Sequence, residues 1–203
     1  MRRIYISFLC LTVIFTALNL PAAAQDKPSD KPSAPIASSY RTEFLEEISY
    51  FELRFTPLAD AVPAEKYSWR PAEGVRSAGE VYAHVVMANY GIAKTLGTPL
   101  PSGLDPKSFL AAANDKPKIV QALKDSFAHL RQAISSLNDK DADKPQAMFN
   151  RQTTLRGAFM MIDRHLGEHL GQSIAYARMN GVVPPWTEDF QRQQPKPADK
   201  PKP

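Results

Sequence analysis

Residues 153–180 read T-T-L-R-G-A-F-M-M-I-D-R-H-L-G-E-H-L-G-Q-S-I-A-Y-A-R-M-N. Leu155, Phe159, Ile162, Leu166 and Ile174 recur there at helical spacings, so the stretch from about Thr153 to Asn180 is predicted as one long amphipathic helix. Asn180-Gly181 is a natural C-terminal stop for it. His165 and His169 are four residues apart, one turn along the same face and close to Ile162 and Leu166. That is the spacing with which two imidazoles address one divalent ion.

Three further stripes of the same kind lie upstream. After Ser39 as N-cap, Tyr40, Phe44, Ile48, Phe51, Phe55 and Leu58 form the first, with Pro57 near its end and Pro63 closing it. A loop from Val62 to Arg76 follows. Ser77-Ala78-Gly79-Glu80 has the reciprocal spacing of a capping box and opens the second helix, whose stripe is Val81, Val85, Ala88, Ile92 and Leu96. A connection of about 20 residues, longer than a tight hairpin between antiparallel helices needs, reaches a third helix near Asp115, with Pro117 in its first turn. Ile119, Leu123, Phe127, Leu130, Ile134 and Leu137 carry that helix, and the polar run Asn138–Pro145 ends it. No segment alternates with period two for long enough to predict a sheet. The expected fold is all-α, a four-helix bundle that hides four apolar stripes from water.

His84 lies on the inner side of the second helix, between Val81, Val85 and Ala88. A single inward histidine is more often an ordinary core residue than a ligand. Three together are different, because a cluster of imidazoles in an apolar core needs several hydrogen-bond partners and each protonation opposes the next. A bound cation resolves both problems. The expected metal site is therefore His84, His165 and His169. His129, about 100° around the third helix from Leu130 and roughly 200° from Phe127, is predicted to face solvent. A zincin-type protease is excluded, since Leu166 stands where H-E-x-x-H requires glutamate. Facing pairs of E-x-x-H and a C-x-x-C-H haem site are absent too. Glu168 reads as a solvated glutamate, and Glu80 as a capping residue.

Outside the bundle, Arg2 and Arg3, the apolar run Ile4–Leu20 and Pro21-Ala22-Ala23-Ala24 have the layout of a secretory signal peptide, with cleavage expected after Ala24. Cys10, the only cysteine, falls inside it, and Leu9 before it argues against a lipid anchor. Residues 1–24 are thus read as signal peptide, 25–37 as a linker rich in Pro and Lys, 38–186 as the bundle and 187–203 as a second such tail. Composition of this kind favours solvated polyproline II and supports no core. The full chain has 25 basic and 21 acidic side chains. Removing Arg2 and Arg3 leaves 23 against 21, a net +2 that gives no reason to expect nucleic acid. A periplasmic or secreted location follows, with no stable membrane anchor after cleavage.

The stretch Tyr67-Ser68-Trp69-Arg70-Pro71-Ala72-Glu73-Gly74-Val75-Arg76-Ser77-Ala78-Gly79-Glu80-Val81-Tyr82-Ala83-His84-Val85 resembles the DinB/YfiT-like metalloenzyme superfamily, in which a loop containing proline and glycine precedes a capped helix with one metal histidine. Arg164–Gln172, continuing to Tyr176, Arg178, Asn180-Gly181 and Pro184-Pro185, resembles that family's final helix. The resemblance covers roughly Tyr40 to Pro185. It implies an up-down-down-up connection of the four helices, a triad of His84, His165 and His169 completed by water, and a divalent ion, zinc or nickel first. Relatives of that kind include thiol-dependent transferases and isomerases, so a metal-dependent hydrolase or transferase acting on a small molecule is the first functional expectation. Tyr82, Glu168, Gln172 and Tyr176 are its candidates for orienting a substrate. The alternative is a non-catalytic envelope bundle, stabilised by its metal or binding a ligand. Met87, Met148, Phe159, Met160 and Met161 are candidates for lining an apolar pocket, although such residues are more often plain core. A small-molecule substrate and a homodimer are the partners left open.

Overall fold

The computed structural model describes residues 39–193. The expected signal segment with Cys10, the linker 25–37 and the last part of the expected tail, 194–203, lie outside the described residues.

The four stripes form four long helices, α1 (Tyr40–Ala61), α2 (Ala78–Thr95), α4 (Lys116–Ser135) and α5 (Leu155–Met179), with the short helices α3 (Pro106–Ala111) and α6 (Pro185–Gln193) added. Each long helix starts on the residue type that can accept from its orphan N–H groups. Ser39 accepts from Thr42 N, Ser77 from Glu80 N, Asp115 from Lys118 N and Thr154 from Gly157 N. Pro117 occupies the first turn of α4, where its missing donor costs nothing.

Helices α1 and α2 share the same two neighbours, α4 and α5, and one core runs between them. Phe44, Ile48, Phe51, Phe55 and Leu58 of α1 are buried, and so are Ile119, Leu123, Phe127, Leu130 and Ile134 of α4. Each such side chain contributes about 1.5–3 kcal/mol on leaving water. Helix α2 is buried on more than one side, because α3 packs on it as well. No helix among the described residues is long and apolar enough to cross a membrane.

Three features depart from the sequence reading. First, Pro145–Met148 (β1) and Arg151–Thr154 (β2) pair antiparallel, Met148 opposite Arg151, in a hairpin directly before α5. Four-residue strands are too short to show alternation. The two-residue loop Phe149-Asn150 has φ of 48° and 60° and so takes the doubly positive backbone of a type I′ turn, without the glycine that usually announces one. Second, the connection after α2 holds α3, capped by Asp105, whose single buried residue Phe109 closes on the core. Third, α6 continues past residue 186, where the bundle was expected to end, so 187–193 of the expected tail are helical. Trp186 packs on the core, and the Arg54 guanidinium lies 4.7 Å from its ring centre.

Candidate metal centre

His84 is positioned by the way α2 begins. The Ser77 hydroxyl accepts from Glu80 N at 3.2 Å, while the Glu80 carboxylate accepts from Ser77 N at 2.7 Å and from Arg70 at 3.1 Å. Those bonds, led by the backbone one, hold the Glu80 carboxyl below its usual range. Trp69 and Tyr67 supply carbonyls to the next two amides, Ala78 N and Gly79 N, at 2.9 Å each. The first turn of α2 is thereby fixed, and His84 lies one turn beyond Glu80. On α5, buried Ile162, Leu166 and Leu170 anchor the helix, and that orientation turns His165 and His169 toward α2.

The three imidazoles converge. Ring centres are 4.6 Å apart for His84–His169, 4.7 Å for His165–His169 and 5.3 Å for His84–His165. One ligand nitrogen from each lies within 4.8 Å of the other two, and this is the one group of three or more His, Cys, Asp or Glu residues placed to hold a metal among the described residues. Each ring is half-buried, so an ion held here remains accessible from outside.

Protonation suits ligation. Burial pushes His84 down from its ordinary 6.5 to about 4, helped by the charges of Arg76, His169 and His165. Burial also takes His165 down to about 4, with His169 the next cause. Both rings therefore keep their lone pairs at neutral pH. His165 Nε2 is buried and has no hydrogen-bond partner among the described residues. On His169 the tautomer follows from a relay. Gln172 Nε2 donates to the Tyr176 hydroxyl at 3.1 Å, which turns Oε1 toward His169 Nδ1 at 3.0 Å. Nδ1 is then the donor, which makes Nε2 the nitrogen that can ligate an ion. Trp69 meets the Tyr176 ring edge-on at 5.3 Å and backs this relay from the loop before α2.

The remaining sequence candidates divide. Gln172 and Tyr176 are brought to the site through His169, whereas Tyr82 is buried against Tyr67, its side chain hydrogen-bonded to Ser173 of α5. Glu168 is exposed and paired loosely with Arg164 at 3.7 Å, as a surface glutamate. His129 is half-buried, its ring 5.3 Å from Tyr90 and its Nε2 enclosed, which corrects the expectation that it faces solvent. Helical phase places it off the α4 stripe, but Tyr90 on α2 reaches over and covers it. It stands apart from the triad.

A cleft of about 450 Å³ opens onto His84 and His165, walled by α2 from Met87 to Thr95 and by Met148 and Phe149 of the hairpin. Of the five residues expected to line an apolar pocket, only Met87 and Met148 do so here. Phe159 stacks on Phe44 at 4.0 Å elsewhere on α5. Sequence reasoning missed Phe149, whose ring lies 5.3 Å from His165; no periodic signal marks a lone aromatic in a polar stretch.

A mostly helical bundle with three half-buried imidazoles converging at the seam between two helices is a class of domain that could hold a metal ion. The model of the DinB superfamily matches residues 52–173, more than half of the chain and inclusive of all three histidines. The chain belongs to that superfamily. No match is found among curated proteins. Among solved structures it is similar to a DinB-like protein from Bacillus cereus ATCC 10987, with TM-score 0.55 and 22% identity over 70% of this chain and 93% of that one. A DinB-like protein from Bacillus subtilis matches with TM-score 0.47 and 20% identity over the same shares.

Proposed function

We propose that this chain is an exported metal-binding bundle that uses one divalent ion, zinc or nickel, as a hydrolase or transferase acting on a small molecule. The observation that carries this reading is the convergence of three imidazoles, one ligand nitrogen of each within 4.8 Å of the other two, with His165 Nε2 buried and without a partner. Such a donor set fits a divalent ion well. When bound, the ion acts as a Lewis acid and lowers the pKa of a coordinated water or thiol. The chain's own residues do the rest. Gln172 and Tyr176 fix the His169 ring, Ser173 ties the His169 carbonyl at 2.8 Å, and the cleft beside His84 and His165 admits a molecule to the centre. That opening favours catalysis over an ion that only fastens two helices.

The up-down-down-up connection belongs to the same reading and is supported by contacts between helix ends. Phe44 near the start of α1 stacks on Phe159 near the start of α5, while Arg41 donates to the carbonyls of Ser135 and Leu137 at the end of α4. Export rests on the Arg2-Arg3, Ile4–Leu20 and Ala22-Ala23-Ala24 pattern.

Elemental analysis of the purified protein tests the site. The native chain and the His129→Ala variant are expected to carry close to one equivalent of metal, and His165→Ala to carry almost none. Equal metal in native and His165→Ala protein overturns the reading.

A further inference from the structure

Two residues that border the cleft are poor choices for their local backbone. Phe149 adopts φ 48° in the hairpin loop, where an aromatic side chain is disfavoured and asparagine or glycine is at ease. Gly91 occupies the interior of α2, where alanine forms helix better, although a Cβ there would meet nothing within 4 Å. Departures of this kind concentrate at functional positions. Here both fall on one cleft: Gly91 leaves room at its mouth, and the Phe149 ring walls it beside His165.

The lining has a definite chemistry. It carries no Asp, Glu, Lys or Arg; Met87, Ile92, Met148 and Phe149 supply the apolar surface. Its volume falls at the small end of small-molecule sites. Imidazole ligands bring no negative charge, so the charge of an ion held here is left uncompensated, and Arg76 adds positive potential at His84 and His165. We propose that the cleft seats a compact, uncharged apolar group of a ligand whose anionic donor reaches the metal, and that Gly91 and Phe149 set the size of that group. This rests on the metal-binding reading above. Beyond the two histidines the only polar side chain in the lining is Thr95, and its hydroxyl donates to the Gly91 carbonyl at 2.9 Å.

The test uses the full-length protein loaded with cobalt(II), whose visible bands report the metal and whose thiolate charge-transfer band reports a bound thiol. Benzyl mercaptan and 1-thioglucose are titrated as probes with the same donor and opposite tails. Benzyl mercaptan is expected to saturate the band at a concentration at least about ten-fold lower, the discrimination an apolar pocket can supply. Gly91→Leu fills the mouth while favouring the helix, so it is expected to keep the cobalt bands and reduce that preference to less than about three-fold. Phe149→Gly relaxes the turn, so its melting temperature is expected to hold or rise while the preference falls. Equal affinity for the two thiols in the native chain overturns the cleft proposal and leaves the metal reading standing. Full preference retained in Gly91→Leu does the same. Absence of cobalt bands in the native protein overturns both.

Discussion

His84 and His165 resist protonation for a physical reason that also predicts how the metal-free protein responds to acid. Their folded-state pKa values are lowered to about 4, chiefly by burial, against an ordinary 6.5 for an exposed imidazole. Between those values the unfolded chain binds protons that the folded chain refuses. Stability therefore rises with pH across the window, and it is lost as pH falls from about 6.5 toward about 4. In the presence of a chelator, the thermal midpoint of the native protein is expected to drop over that interval. A His84→Gln, His165→Gln variant should drop distinctly less, because the two shielded imidazoles are gone. Parallel curves for the two proteins would show that these imidazoles are not shielded. The same shielding that makes the rings poor bases makes them available donors at neutral pH, so the acid response and the ligand role have one cause.

Helix α2 sets the geometry of the site, and two of its glycines predict opposite outcomes for one substitution. A Cβ on Gly79 would lie 2.1 Å from the Ala113 carbonyl oxygen and 3.0 Å from the Tyr67 ring, where the chain leaving α3 crosses the first turn of α2. Backbone cannot step aside cheaply, so Gly79→Ala is expected to cost about 1–3 kcal/mol. In a domain of this size that lowers the melting temperature by roughly 2–10 °C. Gly91→Ala meets open space in the helix interior and should stabilise by up to about 1 kcal/mol. Thermal unfolding of the two variants against the native protein checks both signs, and a destabilising Gly91→Ala would contradict the open mouth described for the cleft. Gly79 also shows where sequence stops being informative. Its capping box was legible from Ser77 and Glu80, but the crossing of Ala113 is a contact between segments 34 positions apart in the numbering. The four long helices were legible because five or six apolar residues repeat in each. Helix α3 has one buried residue and the hairpin has Met148 alone, too few to form a period. The His165–His169 pair was legible from its spacing, and His84 from its place on a stripe. Phe149 was not, because its importance comes from a turn that carries no glycine, and His129 was misread because its cover comes from another helix.

At the scale of the whole molecule, the site lies on the seam between α2 and α5, which are packed directly against each other along only part of their length. The hydrophobic contacts there are Ala78 and Val81 with Tyr176 on one side of the histidines and the main core on the other. Between them lie three half-buried imidazoles that offer each other nothing but repulsion once protonated. An ion that binds only the folded state adds about 2.7 kcal/mol of stability when free metal is a hundred-fold above its dissociation constant. For a domain of this size that corresponds to roughly 5–10 °C. Stripping the metal with a chelator is expected to lower the melting temperature by that amount in the native protein and to leave His165→Ala unchanged. Because the ion would join α2 to α5 rather than to α4, the loss should be local. Amide exchange is expected to quicken around 84 and 165–169, while the α1–α4 pairing, held by Phe55 against Phe127 and by the Arg131–Glu52 ion pair, stays protected. Uniform acceleration across all four helices would mean that the bundle opens as one unit, and that the ion supports the entire core instead of a single seam.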